Sequence, residues 1–458
     1  MKALKVTGGL LLGLLLLAVV GYLVLLFINR NDRPPSAAAL QFQQIVAARP
    51  AVAPADNGAV YVLGFAAPAA AHPVDVGTRR MAWLESFDEH TDPGTDPLPE
   101  GLRFQELGAP GLKSLWELCR ADADLSGCAS AFESAAREWQ PNDVDALALE
   151  RYEALLARHA WRDVVPFNVA APFPAYHLVT HAQRLYLLHV MQLVAAGQLD
   201  QAREKLSADL AYWRGAVPAA DNLIGQMIGV ACLRSHFFYT SLILRSLPAA
   251  DVERVMPVDW SREFTAEERS MRRVTAGEVA FVGEILRHTS DYHTADGMSV
   301  DAADHSFMDL WMNRLAMPLF QVQDTVNGVA EMRLRLCQDF EVPLRQYLHQ
   351  AQRWKEKSAR PFSVYNPTGR VLMWSEDGET YVNYTLRTAS VEGARRAALL
   401  TAQLHARGIS ADAAPGEIAR ADLRDPYTDE PFEWNYTRRS VNFTAPESHR
   451  WRKVEYFY

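Results

Sequence analysis

The stretch HLVTHAQRLYLLHVMQLVAAGQLDQAREKLSADLAYWRGAVPAADNLIGQMIGVACLRSHFFYTSLILRSL, from His177 to Leu247, sets the fold class, because its apolar residues recur at helical intervals. From His177 to Ala196, Leu178, Ala182, Leu185 and Leu188 line one side, and Leu187, Val190 and Val194 another. A helix apolar nearly all round belongs inside a core. Leu199, Ala202, Leu206, Leu210 and Trp213 then recur at steps of three and four on an otherwise charged segment, the pattern of an amphipathic helix. Gly197 is placed to end the first helix and Asp200 to cap the second. A third helix, Asp221 to Ser246, is interrupted by Arg234 and His236, which leaves uncharged runs too short to span a bilayer and makes it a core helix. The hairpin His177 to Arg214 has the look of one tetratricopeptide unit, but the following residues do not repeat it, so a solenoid is not expected.

Moving outward, Gly8 to Ile28 (GGLLLGLLLLAVVGYLVLLFI) is an uninterrupted apolar run of 21 residues, enough to cross a bilayer as a helix. It is longer than the apolar part of a cleavable signal, and Arg30, Asp32, Arg33 and two prolines separate it from the nearest small-residue site, Ala37 to Ala39. An uncleaved signal anchor over residues 1–28 is therefore expected. The tiny leading segment places the following chain outside the cytoplasm, although Lys2 and Lys5 face Arg30 and Arg33 with only a slight charge bias. Gly9 and Gly13 form a GxxxG through which two spans can pack; that spacing also arises by chance, so a homodimer is an option rather than an expectation. Residues 29–57, rich in Pro and Ala with one amphipathic patch at Leu40 to Val46, read as a stalk.

Residues 58–359 read as a mainly α-helical body. Ala59 to Phe65 looks like a short strand, and helices follow at Val76 to Phe87, Leu112 to Ala123, Gly127 to Trp139 and Val144 to His159. After Leu247, Thr265 and Glu268 form a capping box opening a helix with a stripe at Met271, Val274, Phe281 and Ile285. Thr289 to Ser306 reads as a polar loop, and Val322 to Ala351 as a helix kinked at Pro343. Residues 360–458 read as a small α/β domain: strands at Arg370 to Trp374 and Tyr381 to Arg387, a helix from Val391 to Arg407 ended by Gly408, and a hairpin around Phe432 to Tyr436 and Ser440 to Phe443.

The chain carries a formal charge of −9 and no Lys/Arg cluster, so nucleic acid is not an expected partner. Four cysteines do not make a disulfide scaffold. Cys119 and Cys128 sit at the end of one expected helix and the start of the next, so a bond between them is expected in an oxidising compartment. Cys232 and Cys337, in separate apolar stretches, are expected to stay thiols.

Three constellations can carry chemistry. His177 and His181 stand four apart, with His189 two turns on; Leu178, Val179 and Thr180 lie between the first two, so there is no HExxH, and surface or structural histidines outweigh a metal site. Glu278 falls on the apolar stripe opposite Arg333; a buried ion pair outweighs a catalytic acid there. The stretch Asp291 to Asp309, with His293, Asp296, Asp301, Asp304 and His305, is read as a solvated acidic loop ahead of a metal or catalytic cluster. No cofactor motif is present. The absence of GxSxG, Walker and GxGxxG motifs lowers the expectation of an enzyme without removing it.

NGAVYVLGFAAP and HPVDVG (between Asn57 and Gly77), LALERYEALL (Leu147 to Leu156), DLAYWR (Asp209 to Arg214) and DPYTDEPFEW (Asp425 to Trp434) resemble segments of a group of single-pass bacterial membrane proteins with no established activity. The resemblance implies an inner-membrane protein with a periplasmic body, and transfers no site residues. The tail separately resembles the end of type II secretion pseudopilins, but Thr7, Gly8, Gly9 and Leu10 do not supply the processing site such a protein needs. The reading is an anchored envelope component that binds other envelope proteins, with an envelope hydrolase using Glu278 or Asp291 to Asp309 as the alternative.

Overall fold

The computed structural model describes residues 2–86, 99–103, 112–119, 127–165, 171–295, 314–355, 363–375, 378–446 and 452–458. The chain is mainly helical, with 17 helices among these residues and one small sheet near the C-terminus. In chain order they are α1 (Lys2–Ile28), α2 (Ala37–Ala47), α3 (Gly58–Leu63), α4 (Pro73–Glu85), α5 (Lys113–Leu118), α6 (Cys128–Glu138), α7 (Asp143–Leu156), α8 (Tyr176–Ala195) and α9 (Leu199–Ala219). There follow α10 (Leu223–Arg245), α11 (Ala249–Val255), α12 (Arg272–Ala295), α13 (Val322–Asp339), α14 (Tyr347–Lys355), α15 (Pro367–Ser375), α16 (Gly378–Ala406) and α17 (Ala414–Arg420). The strands are β1 (Glu433–Asn435), β2 (Ser440–Ala445) and β3 (Arg452–Phe457).

The core is organised around α8, α9 and α10, as their sequence pattern requires. Gly197 at φ +74 turns the chain from α8 into α9, and Gln198 N–H bonds back to Leu193 O at 2.9 Å. Asp200 does not cap α9. The cap position falls to Gln198, whose side chain makes no cap bond, and Asp200 pairs with Arg254 of α11 at 2.7 Å. The apolar helix α10 is flanked by α8, α9 and α16. Of the most apolar 18 residues of Leu223–Arg245, 72% are buried, against none of those of Thr7–Ile28, so apolarity serves a core in one helix and faces outward in the other.

α16 is the largest departure from expectation. Tyr381 to Arg387 is β-prone by composition, yet Val382, Leu386, Ala389, Gly393, Ala397, Leu400 and Leu404 repeat at steps of three and four and are all buried along one continuous helix. β2 lies across this helix where Gly393 leaves room: a Cβ there would stand 2.1 Å from the Phe443 ring. Arg370 to Trp374 is likewise helical, within α15. The expected hairpin is present, with Trp434 opposite Val441, and β3 extends it by pairing Val441 with Tyr456 and Phe443 with Val454, all antiparallel. One apolar core takes in Leu188, Leu210 and Phe237 together with Leu400, Phe443 and Tyr456, so the packing does not divide at residue 360.

The stretch Ala59 to Phe65 is helix as far as Leu63 and then turn, not strand. Asn57 Oδ1 accepts Ala59 N–H at 3.0 Å, Gly58 to Leu63 are all buried, and among the described residues no strand lies alongside to complete a ladder. The capping box closes as expected, with Thr265 N–H to Glu268 Oε2 at 2.8 Å and Glu268 N–H to Thr265 Oγ1 at 3.1 Å, but it holds an isolated turn and α12 starts only at Arg272. That helix runs to Ala295, into the expected loop. Pro343 separates rather than kinks: α13 stops at Asp339 and α14 begins at Tyr347.

Residues 29–57 are not a free stalk. The amphipathic patch forms α2, whose Ala38, Ala39 and Phe42 bury against Ala276 and Val279 of α12, Val326, Val329 and Ala330 of α13, and Met373 of α15. Further on, Arg49 pairs with the buried Asp221.

Candidate functional site

The most chemically suggestive arrangement lies in the centre of the core, between residues far apart along the chain. Asp209 of α9 and His236 of α10 are both fully buried, and Asp209 Oδ2 accepts from His236 Nδ1 at 2.8 Å. Tyr152 of α7 donates to Asp209 Oδ1 at 2.5 Å, and Gln183 Nε2 of α8 lies 3.2 Å from both oxygens. Trp213 Nε1 donates to Tyr152 Oη at 2.7 Å, and Trp260 Nε1 donates to His236 Nε2 at 3.0 Å. An indole N–H can only donate, so Nε2 is the accepting nitrogen and Nδ1 carries the proton. A carboxylate, an imidazole and a hydroxyl are thus assembled as in a hydrolase, but the indole occupies the nitrogen a substrate would need. The arrangement ties four helices together, and burial with the adjacent carboxylate pushes the Tyr152 hydroxyl well above its ordinary range.

The segments NGAVYVLGFAAP, LALERYEALL, DLAYWR and DPYTDEPFEW form joints of the same kind. Arg151 donates to Phe65 O at 2.6 Å, Ala67 O at 2.7 Å and Pro68 O at 3.0 Å, locking the end of NGAVYVLGFAAP to LALERYEALL. Arg214 of DLAYWR grips Glu268 with two bonds of 2.6 and 3.0 Å, which holds the capping-box turn. Asp425 of DPYTDEPFEW accepts Tyr427 N–H at 2.8 Å, and Tyr427 stacks on Phe443.

The candidates read from sequence are dispersed. His177 is exposed, and His181 is half-buried, its Nε2 buried without a hydrogen bond; burial lowers its pKa while Asp145 opposes the shift. Among the described residues no group of three or more His, Cys, Asp or Glu side chains converges as a metal would require. The backbone of Asp291 to Ala295 belongs to α12, while Asp296 to Asp309, including Asp304 and His305, lie outside the described residues. Glu278 Oε1 accepts Leu223 N–H at 2.9 Å, and its Oε2 lies 3.5 Å from the Tyr381 hydroxyl. Arg333 sits 4.1 Å over the Tyr381 ring, so Tyr381 touches both of the groups expected to meet as an ion pair. Asp163 joins Glu278 at the start of α10, its Oδ2 accepting Asp221 N–H at 2.5 Å and Asn222 N–H at 3.2 Å. Two carboxylates thereby accept amides at the start of α10 and face its positive end.

Cys119 and Cys128 are bonded, with Sγ atoms 2.06 Å and Cα atoms 5.0 Å apart; Cys232 and Cys337 are free and buried. Beside this bridge α5, α6 and the start of α7 enclose a groove of about 600 Å³ lined by Leu115, Leu118, Ala135 and Trp139. Asp145 stands at its edge, accepting from Trp139 Nε1 at 3.1 Å.

The tightest surface assembly is where α1 meets the body. Asn29, 2% exposed, donates from Nδ2 to Val364 O at 2.9 Å and accepts Asn366 N–H on Oδ1 at 2.5 Å, while its carbonyl accepts Gln321 Nε2 at 2.5 Å. Asp32 caps α13 by accepting Gln323 N–H at 2.6 Å and Asp324 N–H at 3.0 Å, and Arg33 reaches Asp324 at 3.0 Å. Asn366, at φ +53, reaches Asp324 and Thr325 from the other side at 3.1 and 2.9 Å. Comparison of the chain with protein-family models, with curated proteins and with solved structures finds no match.

Proposed function

We propose that this chain is a membrane-anchored interaction or scaffolding component of the bacterial cell envelope, with α1 crossing the inner membrane and the helical body on the periplasmic side. The observation that carries this reading is the joint at Asn29. An apolar helix whose Leu10 to Leu17 side face is open to the surroundings runs straight into a buried, fully hydrogen-bonded contact with α13 and the start of α15. Unlike a flexible linker, a joint of this kind holds the body in one attitude to the membrane, which suits a protein that presents a fixed face to neighbours in the same plane. The Cys119–Cys128 bond supports an oxidising compartment, and the resemblance of the joint-forming segments to single-pass bacterial membrane proteins points the same way. Glu278, which the hydrolase alternative would use, accepts the Leu223 N–H at the start of α10, and this supports a structural role for it.

In-cell crosslinking of the tagged full-length chain, followed by mass spectrometry, tests the proposal. A reproducible set of envelope proteins is expected, and that set should shrink in Asn29→Ala, which loosens the joint without touching the body's outer faces. Recovery of no partner beyond those of an unrelated anchored protein, with the chain folded, overturns it. A reporter active only outside the cytoplasm, fused after Tyr458, should be active; activity of a cytoplasm-only reporter there refutes the periplasmic placement.

A further inference from the structure

Beyond the span itself, the body presents an apolar face beside α1, and we propose that this face is a foot by which the body sits in the near leaflet of the bilayer that α1 crosses. The proposal rests on the anchor reading above and adds a second lipid contact to it. Its starting point is a hydrogen bond: Tyr22 Oη donates to Leu315 O at 3.1 Å. Tyr22 precedes Asn29 by seven residues, about 10 Å along a helix rising 1.5 Å per residue. Side chains on a helix lean toward its N-terminus, so Tyr22 points deeper into the span and not back toward the joint. The apolar run from Gly8 to Ile28 is about 31 Å long and just fills the hydrocarbon core, which puts the membrane surface near Ile28 and Leu315 well below it.

The segment is built for that depth. In hydrocarbon every backbone polar group needs a partner within the protein. Leu315 O has Tyr22, Ala316 O accepts Thr368 Oγ1 at 2.7 Å, and Met317 O accepts Phe320 N–H at 3.0 Å. Thr368 fixes which face of α15 turns this way, and Val371 and Leu372 lie one turn further along the same face. Leu315, Val364, Val371 and Leu372 are 46, 51, 57 and 44% exposed, an unusual concentration of open aliphatic side chains on a body whose other apolar residues are mostly covered. Val364 marks the upper edge, since its carbonyl receives Asn29. Arg30 and Arg33 stand exposed at that same edge, Arg30 lying 4.6 Å over the Phe27 ring, where guanidinium groups meet lipid phosphates. Continuity with the exposed face of α1 identifies the occupant as lipid.

The test uses the full-length chain in bilayers of zwitterionic and anionic phospholipid, with an environment-sensitive fluorophore on one introduced cysteine. The native cysteines are either bonded or buried, so labelling reports the introduced site. Probes are placed through Leu372→Cys in the foot, Leu15→Cys in the span and Tyr436→Cys on the hairpin, where Tyr436 is 71% exposed. Lipids brominated on their acyl chains should quench the Leu372→Cys and Leu15→Cys probes several-fold more than the Tyr436→Cys probe. Quenching at Leu15→Cys with a Leu372→Cys probe as unquenched as that at Tyr436→Cys overturns the foot while leaving the anchor. An unquenched Leu15→Cys probe overturns the anchor and the foot together. A Leu372→Cys probe that is blue-shifted yet insensitive to brominated lipid, and that shifts back on dilution of protein into excess lipid, assigns the face to a second copy and also overturns the proposal.

Discussion

Replacing Asp209 by Ala removes the one acceptor on which the central polar network converges. Three donors lose it: the Tyr152 hydroxyl at 2.5 Å, His236 Nδ1 at 2.8 Å and Gln183 Nε2 at 3.2 Å. Gln183 retains Cys232 O at 3.0 Å, so two donors are stranded in a region with no solvent access. His236 cannot escape by changing tautomer, because Trp260 N–H already occupies Nε2. At roughly 1–3 kcal/mol for each of the two orphaned buried donors, Asp209→Ala should cost about 2–6 kcal/mol. His236→Phe should cost less, and the two changes together should fall short of their sum by about 1–3 kcal/mol, since the second removes a donor the first had stranded. Urea unfolding of the detergent-solubilised chain, followed by tryptophan emission, reads this directly, because Trp213 and Trp260 belong to the network. Losses below about 1 kcal/mol for Asp209→Ala, or simple additivity with His236→Phe, would refute a structural network.

Other outcomes follow from the same geometry. Burial pushes Asp163 up from 3.8 to about 6, so the native chain holds this proton at pH values where the unfolded chain has released it. Its contribution is therefore greatest below pH 4, is lost as pH rises through 6, and amounts to about 3 kcal/mol over the window; the stability of Asp163→Asn relative to the native chain should climb by that amount between pH 4 and 7.5 in urea titrations. Reducing the Cys119–Cys128 bond, whose partners are 9 residues apart, should lower stability by about 2–3 kcal/mol, and non-reducing peptide mapping should find Cys232 and Cys337 as thiols. Glu278→Gln keeps an oxygen for Leu223 N–H but loses the charge facing the start of α10; a drop of about 1 kcal/mol with the crosslinked partner set unchanged is expected, and loss of the partners from a folded variant would restore Glu278 as a functional residue.

The elements that could be read in advance are those whose pattern is local. α8, α9 and α10 announce themselves by apolar spacing, Gly197 and Gly408 by the positive φ they alone adopt cheaply, the β1–β2 hairpin by alternation, and the Cys119–Cys128 bond by its place between two helices. The stripe from Val382 to Leu404 was equally present, but its first turns are written in β-branched and aromatic residues, and composition overrode period in the reading. α3 gave no such warning, since AVYVLGF is too short for periodicity to speak and its helix is fixed by the Asn57 cap and burial on all sides.

The candidate residues divide along the same line. Sequence alone determined that Glu278 must be satisfied if it faces inward; only packing decided that a helix amide and the Tyr381 hydroxyl are among its partners. Asp209 and His236 lie on different helices, and no spacing along the chain brings Tyr152, Gln183 and Trp260 to them. The stalk turned into α2 and a clamped joint for the same reason, as Asn29 finds its partners about 300 residues away, at Gln321 and Asn366. Helix formation depends on neighbours three and four residues apart and is written locally; burial of a polar group depends on whichever donors the finished core brings to it, and only the folded chain supplies those.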